Sequence, residues 1–182
     1  MIKILAISGS VRVASTNTLL LRAAVQAAPE GMELSIYEGL RDLPTFSPDL
    51  TESLPPEAQA LRTRLASADG LLIASPEYAH GVPGGMKNAL DWIVGWGEFA
   101  DKPVAFFSTS EYGEHAKVSL AEILQTMSAR LVPEASLTIH LRGKKPDEAG
   151  QVLALASNQA ALRLALAAFA RAIESEHKGD EA

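Results

Sequence analysis

The spacing of apolar residues changes from block to block along this chain, and each change predicts an element. Ile2–Ser8 (IKILAIS) is a short, nearly continuous apolar run ending at Gly9, the pattern of a strand covered on both faces. From Thr18 to Ala28, Leu19, Leu20, Ala23, Ala24 and Ala27 recur on one helical stripe that Pro29 ends. Glu33–Tyr37 alternates like a second strand, and Glu57–Ala68 reads as a helix started by Pro55-Pro56. Gly70–Ser75 (GLLIAS) is a third strand, closed by Pro76. Pro83 opens a helix at its favoured first-turn position. Met86, Ala89, Leu90, Ile93 and Val94 form the apolar stripe of that helix, and Lys87 pairs with Asp91 outside it. A fourth strand follows over Pro103–Ser108 (PVAFFS), then a helix over Lys117–Arg130 and a fifth strand over Ser136–Leu141. A long helix from Glu148 to about Glu176 closes the chain, and the polar tail from His177 is expected to fray.

Strands and helices alternate without a linker, a repeat or a shift in composition. This predicts a single α/β domain over residues 1–182 with a parallel sheet between two helical layers. Five strands fit a flavodoxin-like three-layer sandwich in the order 2-1-3-4-5. In such a sheet a ligand sits beyond the carboxyl ends of the strands, so the loops of interest are 9–17, 76–83 and 109–116.

Composition narrows the chemistry. A chain of 182 residues buries roughly 70% of its unfolded surface, so no disulfide or metal is needed to hold it. It contains no cysteine, which excludes a thiol nucleophile, thiolate-bound zinc, an iron–sulfur cluster and a redox disulfide. A net charge of −6 argues against a nucleic-acid partner. The short apolar stretch from Ile4 is no secretory leader, and Arg163 and Arg171 interrupt the Ala/Leu-rich stretch near the end. The expectation is a cytoplasmic protein without a membrane partner.

Gly9-Ser10-Val11-Arg12-Val13-Ala14-Ser15-Thr16-Asn17 offers hydroxyls, one guanidinium and the N-terminus of the first helix. The first 29 residues hold Lys3, Arg12 and Arg22 and no acid, which favours an anion there. A single glycine cannot write either dinucleotide or P-loop fingerprint, so the loop suits a terminal monophosphate. Ser15, Thr16 and Asn17 could equally serve as helix caps. In the loop after strand 3, Gly81 and Gly84-Gly85 permit close approach of a flat ligand, and Tyr78 and His80 add planar surfaces. Glu77 reads either as a general base or as a solvated carboxylate. His80 and His115 lie on adjacent loops but lack a spaced carboxylate, so no metal site is expected.

These motifs carry a resemblance. G-S-x-R-x-x-S-x-N in the first loop, and a close match to P-E-Y-N-x-x-x-P-G-x-L-K-N-A-x-D-W after strand 3, are similar to the NAD(P)H-dependent FMN reductases. That family includes quinone, azo-dye and chromate reductases, and the similarity runs from Ile2 to about Ile173. It implies that Ser10, Arg12, Ser15, Thr16 and Asn17 hold the FMN phosphate. It further implies that Pro76, Glu77, Tyr78 and Ala79 present amides to the isoalloxazine ring, with Ser110 on the opposite loop. His80, Tyr112 and His115 would shape the acceptor pocket. Ala79 replaces the family's Asn and Met86 its Leu, and after strand 4 only Ser110 and one glycine of the family's Ser-x-Ser, Gly-Gly and Arg pattern remain. The implied activity passes electrons from NAD(P)H through FMN to a small-molecule acceptor, with no side-chain catalytic residue. The alternatives are a flavodoxin-type one-electron carrier and an FMN-binding regulatory module without turnover. Trp92 and Trp96, read as lying off the core stripe, predict a homodimer or a tetramer of dimers.

Overall fold

A computed structural model describes residues 1–177, so the expected frayed tail lies almost wholly outside the described residues. Strands β1 (Ile2–Ser8), β2 (Met32–Tyr37), β3 (Gly70–Ala74) and β4 (Pro103–Ser108) are joined by parallel pairing. Beside β4 lie two short strands, β5 (Arg130–Leu131) and β6 (Leu137–Thr138). The order is β2-β1-β3-β4-β5, with β6 also on β4, which is the flavodoxin-like order expected.

Alternate residues of the inner strands feed two separate cores. Ile4 and Ala6 of β1, Leu72 and Ala74 of β3, and Ala105 and Phe107 of β4 pack beneath α1 (Thr16–Ala27), α5 (Pro146–Leu153) and α6 (Ala156–His177). Leu5, Ile7, Leu71, Ile73 and Val104 face α2 (Pro56–Ala66), α3 (Gly84–Ile93) and α4 (Glu114–Thr126). A two-residue period with both phases apolar is what a sheet covered on both faces requires.

The expected fifth strand is broken in two. β5 pairs with Pro103 and Val104, and β6 pairs with Phe107 and Ser108. Between them Pro133 cannot donate to a ladder, and Pro133–Ala135 forms a 3-10 turn instead. Arg130 accordingly belongs to a strand, not to the preceding helix. That helix starts three residues earlier than expected and ends in a Schellman motif. Ala129 N–H donates to Leu124 O at 2.9 Å and Ser128 N–H to Gln125 O at 2.9 Å, with Ser128 at φ 64°.

The closing helix is also two pieces, bent by 72°. Side-chain amides of Asn158 and Gln159 donate to Val152 O (2.7 Å) and Leu153 O (2.9 Å), reinforcing the end of α5, where Val152 O also accepts from Leu155 N–H at 3.2 Å. Among the described residues no single helix is long and apolar enough to cross a membrane.

The tryptophan reading is corrected. Trp92 is 1% exposed and Trp96 8%, both within the core of α2, α3 and α4, whereas Val94 is 57% exposed. Trp92 meets Phe46 edge to face at 5.1 Å, and its indole N–H donates to Pro44 O at 2.8 Å. Asn88 accepts from Phe46 N–H (2.8 Å) and donates to Pro44 O (3.0 Å). The far half of the long motif therefore anchors the 44–46 segment on α3. Lys87 and Asp91 pair on the exposed side as expected.

Candidate functional site

Beyond the carboxyl ends of β1, β3 and β4 lies a cavity of about 480 Å³, within the usual range for small-molecule sites. Ser10, Arg12, Ser15, Thr16 and Asn17 line it from the first loop, and Pro76, Glu77 and Tyr78 from the second. Ser110 and Tyr112 come from the third. Ala79, His80 and His115 are not in the lining.

The first loop is short of freedom. An added Cβ at Gly9 would lie 2.2 Å from Ser75 Oγ and 2.8 Å from Ser75 Cβ, so only glycine lets β1 exit this close to β3. Ser8 Oγ accepts from Ser10 N–H (3.4 Å) and from Thr18 Oγ1–H (2.9 Å), and Ser10 Oγ accepts from Arg12 N–H (3.4 Å). Ser15 is the N-cap of α1, accepting from Thr18 N–H at 3.4 Å. The amides of Thr16 and Asn17 have no protein partner among the described residues, so they remain open to an anion.

Ser8, Ser10, Ser15 and Asn17 are also the buried polar side chains of the described residues. Asn17 Oδ1 is buried with no hydrogen-bond partner. A buried polar atom left unmatched costs about 1–3 kcal/mol, which a ligand meeting the amide would recover. The Asn17 amide can accept from a ribityl-type hydroxyl or, turned over, donate to a phosphate. Hydroxyls, open helix amides and one free guanidinium suit a phosphomonoester on a polyol chain, which is the fit FMN requires.

The loop after β4 repeats the first loop's design. Ser108 Oγ donates to Ser110 O (2.7 Å), Ser110 N–H reaches Ser108 Oγ (3.5 Å), and Ser110 Oγ accepts from Tyr112 N–H (3.0 Å). Residues 8–12 and 108–112 thus form the same serine-braced turn at the ends of β1 and β4, the two strands that flank β3.

Glu77 is tied to the backbone of the third loop rather than left free in solvent. Its Oε2 accepts from Ala116 N–H at 2.8 Å, capping the N-terminus of α4 and tying the second loop to the third. A second tie is the stack of His80 on His115, 4.3 Å between centroids and 19° between planes. Between Tyr78 and Gly81 the chain closes a two-residue hairpin with mutual bonds of 3.2 and 2.9 Å. Its central residues, Ala79 and His80, sit at φ 50° and 57°. That is a type I′ turn, which ordinarily holds Asn-Gly. The family's Asn at this place therefore has a backbone reason, independent of any contact its amide makes.

Sequence reasoning missed part of the wall. Ser75, Ser108, Thr109, Gly113 and Lys117 line the cavity, as does the turn Leu141–Lys144. Parallel continuation of β6 beside the third loop brings that turn in, with Leu141 N–H donating to Thr109 O at 2.9 Å. The signal available in the sequence was the basic run Arg142-Gly143-Lys144-Lys145 directly after an expected strand. Among the described residues no group of three or more His, Cys, Asp or Glu is placed to hold a metal ion.

The family described as NADPH-dependent FMN reductase matches residues 2–143. A quinone reductase of Escherichia coli K12 is 30% identical over 143 residues, covering 78% of this chain and 68% of that protein. An NADPH:quinone oxidoreductase of Arabidopsis thaliana is 40% identical over 118 residues, 60% of this chain and 58% of that one. Among solved structures, the flavoenzyme NAD(P)H:(acceptor) oxidoreductase FerB of Paracoccus denitrificans has a TM-score of 0.80. Its identity is 24%, over 96% of this chain and 98% of that one, a likeness of fold.

Proposed function

The chain belongs to the NADPH-dependent FMN reductase family, and from that premise we propose that its 182 residues act as one FMN-holding domain that reduces quinone-type acceptors. The observation that carries this is the cradle at α1, where buried Ser10, Ser15 and Asn17 and open helix amides meet the cavity under two further loops. Arg12 would pair with phosphate oxygens, and the backbone of Pro76, Glu77, Tyr78 and Ala79 would run along the flavin edge. When bound, FMN supplies the redox chemistry, taking hydride from a reduced nicotinamide and delivering two electrons to the acceptor. The protein's part is to fix the cofactor and keep one face open. The Glu77 cap and the His80–His115 stack lock two loops against each other, which limits how far that face can move. Tyr112, which lines the cavity, would contact the acceptor, and His80 and His115, outside the lining, would shape the pocket through the loops their stack joins.

A homodimer or tetramer remains part of the proposal. Its support is the exposed apolar set Val13, Tyr78 and Val94, since the tryptophans are internal. The cytoplasm is the proposed location. The test is direct. The purified protein should bind FMN in preference to FAD and oxidise NAD(P)H with a benzoquinone in ping-pong fashion. Failure to bind FMN, or FAD binding as tightly, refutes the monophosphate cradle; a single 19 kDa species on sedimentation refutes the oligomer.

A further inference from the structure

Four cationic side chains line one cavity in a chain whose net charge is −6: Arg12, Lys117, Arg142 and Lys144. The carboxylate in the same lining, Glu77, is committed to the Ala116 amide. Among the described residues none of the four cations has a carboxylate partner. A phosphomonoester brings about −1.5 to −2 charges, and Arg12 with the α1 N-terminus answers that of the flavin. Lys117, Arg142 and Lys144 are left over.

Their placement is built rather than incidental. Lys144 N–H donates to Leu141 O at 3.1 Å, and Gly143 sits at φ 76°, the type II pattern that requires glycine in third place. That turn sets Arg142 and Lys144 on the cavity edge two residues apart. The Arg142 guanidinium also lies 4.6 Å above the Tyr112 ring, which fixes it against the third loop. Lys117 faces the same cavity from the first turn of α4. One carboxylate or ionised hydroxyl on an acceptor would need a single cation; three match a phosphate.

We propose that Lys117, Arg142 and Lys144 form a second phosphate subsite for the nicotinamide dinucleotide, in which Arg142 and Lys144 hold the 2′-phosphate and make the protein selective for NADPH. This rests on the flavoenzyme reading above. The two ligands of the cavity would then divide its charge, the flavin phosphate at α1 and the donor's phosphates at the β6–α5 turn.

The test titrates FMN-loaded protein with NADP⁺ and NAD⁺ by calorimetry, in wild type and in the Arg142→Gln/Lys144→Gln double variant. Charge-assisted bonds to phosphate account for about ten- to a hundredfold each. Wild type should bind NADP⁺ at least about tenfold more tightly than NAD⁺, and the double variant should bring the two within about threefold. FMN affinity, read on apoprotein by quenching of flavin fluorescence, should change by less than about threefold. Equal wild-type affinities, or a preference that survives the double substitution, would overturn the proposal. So would a tenfold loss of FMN affinity, which would give these cations to the flavin phosphate. Equal weakening of both nucleotides would assign them to the pyrophosphate and overturn the 2′-phosphate role. A colourless wild type that takes up no FMN would defeat the flavoenzyme reading itself, and is seen before any nucleotide is added.

Discussion

Ala79 offers the cleanest perturbation of the site, because its backbone is held at φ 50° with no glycine or asparagine to ease it. An L-residue in the left-handed region loses about 1–2 kcal/mol relative to its favoured conformations. Ala79→Asn should recover about 0.5–1 kcal/mol of this, since Asn tolerates that region. Ala79→Gly removes the steric penalty but adds about 0.5–1 kcal/mol of unfolded-state freedom, leaving a gain of similar size. Ala79→Val, with branching at Cβ, should lose about 1 kcal/mol or more. His80 at φ 57° is less useful. Its replacement by glycine also removes the ring stacked on His115 at 4.3 Å, an interaction of about 0.5–1.5 kcal/mol, and the two effects nearly cancel. For a domain of this length, 1 kcal/mol moves Tm by about 2–4 °C. Thermal unfolding of the apoprotein should therefore rank Asn and Gly above Ala, and Ala above Val, with Asn about 1–4 °C above wild type. A valine variant as stable as wild type, or a destabilised asparagine variant, would refute the strained-turn argument.

Arg12→Ala should weaken FMN about ten- to a hundredfold while riboflavin, which has no phosphate, binds both proteins equally; an equal loss for riboflavin would contradict the role. Apoprotein stability should barely move, because the Arg12 side chain is exposed and makes no ion pair among the described residues. Gly9→Ala forces a Cβ to within 2.2 Å of Ser75 Oγ and should cost about 1–3 kcal/mol in urea unfolding, along with a loss of FMN affinity; unchanged stability would show that the β1 and β3 ends can part freely. The Tyr37 phenol is pushed up to about 12 by burial, then by Asp42 and Glu57. A folded-state value above the unfolded one leaves its stability intact below pH 10 and loses it between pH 10 and 12, by at most about 2–3 kcal/mol. Tyr37→Phe should flatten that alkaline slope relative to wild type. Lys102, whose ammonium burial pushes down, is common to both proteins and drops out of the comparison.

What could be read from the sequence was whatever leaves a mark in residue type at a fixed spacing. β1, β3 and β4 show as unbroken apolar runs because both faces are covered, and the first loop shows as hydroxyls and one arginine at a helix start. The broken elements leave weaker marks. α4 ends on Ser128 in a left-handed conformation, where glycine would have announced the stop, so the helical pattern ran on into β5. The bend between α5 and α6 depends on Asn158 and Gln159 reaching back to two carbonyls, with no proline at the break. Trp92 misled because α3 is covered by the 44–46 segment as well as by the sheet, and its buried face is wider than one stripe. Arg142 and Lys144 belong to the cavity only because β6 extends alongside the third loop, a relation that residue spacing does not contain.

The two serine-braced turns give a physical reason for this division of labour. At the end of a parallel strand the ladder stops, and the next amides and carbonyls need partners that neither neighbouring strand supplies. Ser8 and Ser108 supply them from within their own loops, each bonding to the serine two residues on. The second serine then accepts the amide two residues further, at Arg12 and at Tyr112. Each turn thereby satisfies its backbone without apolar packing and can stand open to a ligand. The loop after β3 has no such serine brace and takes its support across space instead, from the Glu77 cap on α4 and the His80–His115 stack. The cavity is thus walled by loops fixed through hydrogen bonds, while the two cores below it are fixed by burial. Side chains that line the cavity, such as Arg12, are free of any packing duty, because the cores gain nothing from them.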